Sequence, residues 1–413
     1  MQPDSLLTQA TEWLDRSGAE LVEWRRALHR HPEVAFGEHV TTERLMGWLT
    51  DMGLDPQRLA VGTGVVCDIG PGPDYLALRA DIDALPISDT KLVPYASEVA
   101  GVCHACGHDA HTAVLLGVAA CIAAGAPAGG AMSQAAGAPA GGGQRSIRLI
   151  FQPAEERMPG GAEAAMKAGV LNGVSAIFAL HCDPKLDTGR VGLRSGPITA
   201  AFNQLEIALS GPGGHTARPH LTVDLVYALG KLVIELPGLL SRRVDPRSAL
   251  SLVWGSVSAG VAPNAIPQAG MLRGTLRMLD GGPWGEVQLL VRELVNQIVA
   301  PTGAKVEIAY DHGVPAVVND IALVGLQTRA AVRALGEHAT SDTRQSMGGE
   351  DFAWYLQEVP GAMARLGVRR PGQAFGDLHQ SSFDIDEDAL AVGVRFTAAI
   401  VDEFWSVSVP DVS

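Results

Sequence analysis

The sequence predicts an α/β protein: a first domain on a mainly parallel sheet, interrupted by an inserted α+β domain. Two observations carry this expectation. Apolar strand-like runs at 65–69, 75–80, 147–151 and 176–180 are interspersed with helical patterns, the rhythm of a layered α/β unit. From about Thr199 the texture changes to alternating polar and apolar residues at 202–209 and again at 271–278, as in half-buried antiparallel strands. The expected boundaries are 1–198 for the first part of the main domain, 199–310 for the insertion and 311–413 for the return.

The elements follow in chain order. Leu21, Trp24, Ala27 and Leu28 recur at helical spacing within the first fifty residues. The apolar run 113–126 is Ala-rich and stops at Pro127. It is shorter than the roughly 20 residues of a bilayer span and reads as a buried helix. Residues 123–130 and 135–142 both spell AAGAPAGG, which offers too little side-chain surface to pack and reads as a flexible surface loop. Inside the insertion, helical patterns at 224–236 and 284–299 accompany the alternating strands.

Composition bounds the function. Among 413 residues, 47% are hydrophobic and 18% charged, enough apolar surface to exclude wholesale disorder. The formal charge of −14 lacks the basic stripe that a phosphate backbone requires, so nucleic acid is not an expected partner. Asp4, Glu12 and Asp15 stand where a signal peptide would need an apolar stretch. Five cysteines form an odd, sparse set, read as reduced thiols. A cytoplasmic protein with no membrane partner is the expectation.

Three strand ends of the first domain run into potential metal ligands: Asp81-Ile82-Asp83, Glu155-Glu156 and His181. In open α/β sheets, sites form outside the carboxyl ends of strands. Between the first two ends lies Cys103-His104-Ala105-Cys106-Gly107-His108-Asp109-Ala110-His111. Thiolate and imidazole are donors that Zn²⁺ and similar ions prefer. Gly107 lets the backbone turn so that Cys106 and His108 can face one ion. Asp109 could orient a ligating imidazole or cap the following helix. A Cys103/Cys106 zinc knuckle is the alternative, and it needs a second ligand pair that the sequence does not show.

Neighbouring carboxylates in an extended segment point apart, so one of Glu155 and Glu156 could bind metal while the other faces the substrate as general base. Taken alone, the pair also fits an acidic helix N-terminus. Gly211-Pro212-Gly213-Gly214-His215 could present His215 to a carbonyl oxygen, or could be only a turn. Pro263-Asn264 is equally open.

Nine segments, LHRHPEVAFGE, LRADIDALPI, HACGHDAHT, FQPAEE, ALHCDP, GPGGHTARPH, APNAIP, MGGEDFAWY and LHQSSFDIDE, run in order from residue 28 to 387. Together they resemble the amidohydrolase branch of the M20 metallopeptidase family, which includes N-acyl-amino-acid, hippurate and auxin-conjugate hydrolases. The resemblance implies a catalytic domain of the zinc-peptidase type with an inserted lid and dimerisation domain. It implies that Cys106, His108, Glu156, His181 and His379 hold two divalent ions, with one ligand bridging. The ions expected are zinc, manganese, nickel or cobalt. Glu155 resembles the general base, and Asp83 the aspartate that orients the site. His215 and Asn264 are similar to lid residues that bind the substrate carbonyl or carboxylate, and His215 would stabilise the oxyanion. The implied activity is hydrolysis of an N-acyl amino acid or related small amide by a homodimer assembled through the lid. A dipeptidase or aminopeptidase, or a non-catalytic metal-binding homologue, are the alternatives. Departures from the family pattern are Cys103 in place of a common methionine, Gln380-Ser381-Ser382 in place of a Ser-Pro pair, Arg218, and the Gly/Ala/Pro insertion.

Overall fold

A computed structural model describes residues 5–125, 146–158, 160–280, 284–373 and 376–406. Most of the AAGAPAGG repeat, expected as a surface loop, lies outside the described residues. The chain separates into two compact units: Met1–Gly196 with Asn319–Arg344 and Trp354–Ser413, and Pro197–Val318 with Gln345–Ala353.

The first unit is built on an eight-stranded sheet. Its strands lie in the order Pro56–Arg58, Val65–Ile69, Ser146–Gln152, Tyr75–Asp81, Val174–Asp187, Gly361–Arg369, Val191–Leu193 and Thr340–Asp342. Tyr75–Asp81 runs parallel to both of its neighbours, and Gly361–Arg369 runs parallel to Val174–Asp187. Antiparallel pairs occur toward the edges, so the sheet is mixed with a parallel centre. Parallel pairing has a functional consequence: the carboxyl ends of the central strands finish on one edge, carrying Asp81, Gln152 and the His181 region together.

The four strand runs expected from sequence all form, and Val65–Ile69 matches residue for residue. Val174–Asp187 extends well beyond the expected 176–180, because its carboxyl half stays paired with Gly361–Arg369. Leu76, Leu78, Leu149, Phe151 and Phe178 are buried in the core of this unit. Each such side chain contributes about 1.5–3 kcal/mol on leaving water. The helix His108–Ala124 has every residue from His108 to Ile122 buried, which explains its uniformly apolar run. Among the described residues no helix is long and apolar enough to cross a membrane.

The second unit pairs an antiparallel four-stranded sheet with two helices. The sheet order is Ser251–Ala259, Ala269–Met278, Ala201–Ser210 and Lys305–Val314. Alternate residues Leu205, Ile207 and Leu209 are buried, as the period of two requires. They share a core with Leu229, Leu232 and Leu236 of helix Leu225–Arg243 and with Val291 and Leu294 of helix Trp284–Val299. Asp224 caps the first helix by accepting from the Tyr227 N–H. That helix passes through Pro237, beyond the expected stop at 236, because Leu236 and Leu240 continue its buried stripe.

Candidate metal centre

The centre is assembled from four segments of the first unit. Helix His108–Ala124 begins immediately after Gly107, whose φ of +88° places it in the left-handed region. A Cβ at Gly107 would lie 2.8 Å from the Cys182 sulfur, so only glycine fits this turn. The turn sets Cys106 and His108 toward a common space, as the sequence reading required.

The ligand atoms of Cys106, His108 and His181 all lie within 4.8 Å of one another, and so do those of Cys106, Glu156 and His379. The five residues expected as ligands therefore form two triads that share Cys106. His379 has a φ of +61°, rare for a residue with a Cβ, and its backbone N–H donates to the Ala105 carbonyl at 2.8 Å. That bond ties the His379 segment to the cysteine-bearing loop. His379 Nε2 stands 3.2 Å from Glu156 Oε1.

The outer partners fix the tautomers. His181 Nδ1 donates to the Cys182 carbonyl at 2.7 Å, which leaves Nε2 as a lone-pair donor 3.7 Å from Cys106 Sγ. His108 Nδ1 lies 2.9 Å from the Asp83 carbonyl and 3.2 Å from Asp83 Oδ1. Asp83 Oδ2 accepts from the Glu156 N–H at 2.9 Å, so Asp83 links one candidate ligand to the backbone of another. Such contacts orient ligands rather than supply them.

Electrostatics and spacing fit divalent cations. His108 Nε2 is buried without a hydrogen-bond partner. It faces Asp81 at 3.7 Å, Glu156 at 3.8 Å and Glu155 at 4.0 Å, too far for hydrogen bonds. In a tetrahedral site with bonds of about 2.1 Å to nitrogen and 2.3 Å to sulfur, two donors stand about 3.6 Å apart, close to the observed His181–Cys106 spacing. Burial opposes charge on His108, but Asp81, Asp83 and Glu156 outweigh it and hold its pKa up at about 10. Burial, reinforced by Glu156 and Glu155, pushes the Cys106 thiol well above its usual range. A cation reverses both effects, because it displaces the proton from imidazole and thiol alike.

Sequence reasoning named two further residues, Asp81 and His111, without giving either a role. Asp81 is fully buried, and its carboxylate meets His111 Nδ1 at 2.6 Å and Arg79 Nη1 at 2.7 Å. His111 Nε2 accepts from the Cys182 N–H at 2.8 Å, so this imidazole joins the Asp81 strand end to the segments carrying His108 and His181. Its position three residues after His108 on one helix was the available signal. Asp109 does not cap its helix or touch a candidate ligand as expected. It is buried between Arg25 Nε and His29 Nδ1, both at 2.7 Å, because the buried guanidinium offers it a stronger partner than the backbone N–H groups of its own helix end. Cys103 is buried outside both triads, and the loss of solvent pushes its thiol up to about 11.

His215 and Asn264 belong to the second unit. The short strand Gly214–His215 pairs with Ala265–Ile266, and the Thr216 N–H donates to the Asn264 carbonyl at 3.2 Å. A Cβ at Gly213 would lie 2.4 Å from the Ile266 carbonyl oxygen, so the close strand approach demands this glycine. The Ala217 N–H donates to His215 Nδ1 at 3.0 Å, leaving the proton on Nε2.

Residues 77–403 match the model of peptidase family M20/M25/M40. An N-acetylcysteine deacetylase of Bacillus subtilis is 36% identical over 386 residues, covering 92% of this chain and 95% of that protein. The chain belongs to peptidase family M20/M25/M40. A solved structure described as a dinuclear metal-binding peptidase of the M20 family, also from Bacillus subtilis, superposes with a TM-score of 0.79 at 33% identity. It covers 94% of this chain, and the match takes in 98% of that chain. A Rhodococcus jostii protein bearing the name of a glutamate–cysteine ligase is 45% identical over 398 residues. The match takes in 96% of this chain, which spans about half, 48%, of that longer protein. The M20 chemistry of this chain is metal-dependent hydrolysis of an amide bond.

Proposed function

We propose that this M20 member hydrolyses N-acyl amino acids or closely related small amides. The observation that carries the reading is the pair of ligand triads sharing Cys106, with Glu155 Oε2 4.0 Å from His108 Nε2. Cys106, His108, Glu156, His181 and His379 would hold two divalent ions, with Cys106 common to both. When bound, those ions supply Lewis acidity, polarising the scissile carbonyl and making an attacking water more acidic.

The chain's own residues do the rest. Glu155, buried beside the triads, takes the proton from the attacking water and returns it to the departing amine nitrogen. Asp83 keeps His108 and the Glu156 backbone in register while this happens. His215, protonated on Nε2, is suited to donate to the developing oxyanion, a contact worth roughly 3–4 kcal/mol of barrier in comparable sites. Asn264, tethered beside it, is assigned to the substrate carboxylate or carbonyl. In the same reading the protein is a cytoplasmic homodimer joined through the inserted domain, and its ions are zinc, manganese, nickel or cobalt.

The deciding experiment is a hydrolysis panel on metal-reconstituted protein: N-acetyl, N-benzoyl and indole-acyl amino acids against unblocked dipeptides. Turnover confined to the acylated set supports the proposal, and preference for free dipeptides overturns it. Glu155→Gln is expected to keep its metal and lose turnover by about 10²–10⁴-fold, the range of general-base catalysis. Near-normal activity in that variant removes Glu155 as base.

A further inference from the structure

The geometry points to Glu38 as a positioning residue that holds the turn presenting Glu155. The inference rests on the reading of Glu155 as the base. Glu38 is completely buried and precedes helix His39–Asp51, yet its side chain makes no capping hydrogen bond there. Instead Oε1 accepts the Ala154 N–H at 2.8 Å, across 116 residues of sequence. A buried carboxylate is costly unless it is hydrogen-bonded, and the Ala154 amide is one of the groups that engage this one.

Ala154 has a φ of +57°, the left-handed conformation that an alanine avoids. It stands directly before Glu155, so its backbone sets the direction from which that side chain leaves. Its carbonyl accepts from the Gly161 N–H at 2.8 Å. On the other side, the Glu156 N–H donates to Asp83 Oδ2 at 2.9 Å. Glu155 thus sits between two amides, each gripped by a carboxylate from a distant segment. Without Glu38, the Ala154 N–H is left buried and unpaired, and the turn relaxes toward a negative φ. The carboxylate of Glu155 then swings away from its working position while all five candidate metal ligands stay in place.

The test uses Glu38→Ala, Glu38→Gln, Glu38→Asp and Ala154→Gly on the full-length metal-loaded protein, with Glu155→Gln as control. Glu38→Ala is expected to lower kcat on the order of 10–100-fold, the usual consequence of a misplaced catalytic group. KM and bound metal should stay within about twofold, since neither substrate contacts nor ligands are altered. Glu38→Gln keeps an acceptor oxygen and should recover to within about fivefold of the parent, whereas Glu38→Asp, one methylene short, should not. Adding Ala154→Gly to Glu38→Ala should restore at least threefold in kcat, because glycine holds the left-handed turn without help. Amide exchange at Ala154, followed in metal-free protein, should quicken in Glu38→Ala and not in Glu38→Gln. An unchanged kcat in Glu38→Ala, equal losses in Ala and Gln, or no rescue by Ala154→Gly overturns the inference. Should Glu38→Ala fail to fold, the contrast between Gln and Asp decides the matter. An active Glu155→Gln control would instead overturn the parent reading and leave the Ala154 exchange rates to judge Glu38.

Discussion

Replacing Arg25 with methionine tests whether a single buried cation braces the metal loop. Arg25 lies in helix Leu6–Arg30 with its side chain 1% exposed. Its guanidinium meets Asp109 Oδ2 at 2.7 Å, Asp384 Oδ1 at 2.7 Å and Glu387 Oε1 at 3.3 Å, and lies over the Tyr95 ring at 4.8 Å. Asp109 follows His108, and Asp384 lies five residues beyond His379, so one side chain anchors two ligand-bearing segments. Methionine fills similar space but leaves the fully buried Asp109 carboxylate with His29 as its remaining partner in this network. Stranding one member of a buried pair costs about 3–5 kcal/mol. The contacts to Asp384 and Glu387, whose side chains are 25% and 19% exposed, add about 0–1 kcal/mol each. Urea unfolding of the metal-free protein should therefore show Arg25→Met destabilised by about 3–5 kcal/mol with an unchanged m-value. Adding Asp109→Asn removes the stranded charge and should return more than half of that loss. Metal affinity of Arg25→Met should fall about tenfold. A loss below about 1 kcal/mol, or a double variant no better than the single one, refutes the brace.

The other predictions are shorter. Burial, with Asp83 nearby, raises the Glu38 pKa from 4.5 to about 7. The folded state therefore holds this proton more tightly than the unfolded chain does. Its contribution to stability is full below pH 4.5 and lost as pH climbs through about 7, a difference of at most about 3.5 kcal/mol at roughly 1.4 kcal/mol per pH unit. Glu38→Gln should flatten the melting temperature across that window, and a slope identical to the parent's would contradict the assignment. His181→Ala should lower the metal-to-protein ratio measured by elemental analysis, and an unchanged ratio would strike it from the ligand set. Under the proposed dimer, mixing His215→Ala with Glu155→Gln chains should regain part of the activity if His215 serves the neighbouring subunit. Verified mixed dimers without recovery would confine His215 to its own chain.

The two halves of this site differ in how far sequence could reveal them. Metal binding restricts the usable side chains to a few types, so Cys106, His108, the Glu155-Glu156 pair and His181 stand out as chemistry, whereas His379 enters only through the family resemblance. Their strand-end and loop positions make their convergence readable. The strands were legible where an apolar run or a strict alternation existed. Ser251–Ala259 was missed because serine and glycine interleave its apolar residues, and Gly361–Arg369 because its buried residues include two alanines and two glycines that carry no strand preference.

The roles of the supporting residues leave no such trace, and Asp109 was read for a different one. Glu38, Arg25 and Asp109 are charged residues within helical or turn segments, where most such side chains face water. What makes them functional is a partner 84 or 116 residues away, and nothing local specifies that partner. Their conformational demands are equally silent: Ala154 and His379 adopt positive φ although neither is glycine, asparagine or aspartate. Both stand at the metal centre, one beside the candidate base and one as a candidate ligand. A left-handed backbone at such residues persists only where neighbours over-determine it. The Glu38 and Gly161 bonds at Ala154, and the Ala105 bond at His379, are those neighbours. The candidate ligands can thus be read from residue type and family resemblance, whereas the precision of the site is a property of tertiary contacts that hold unfavourable backbone in place.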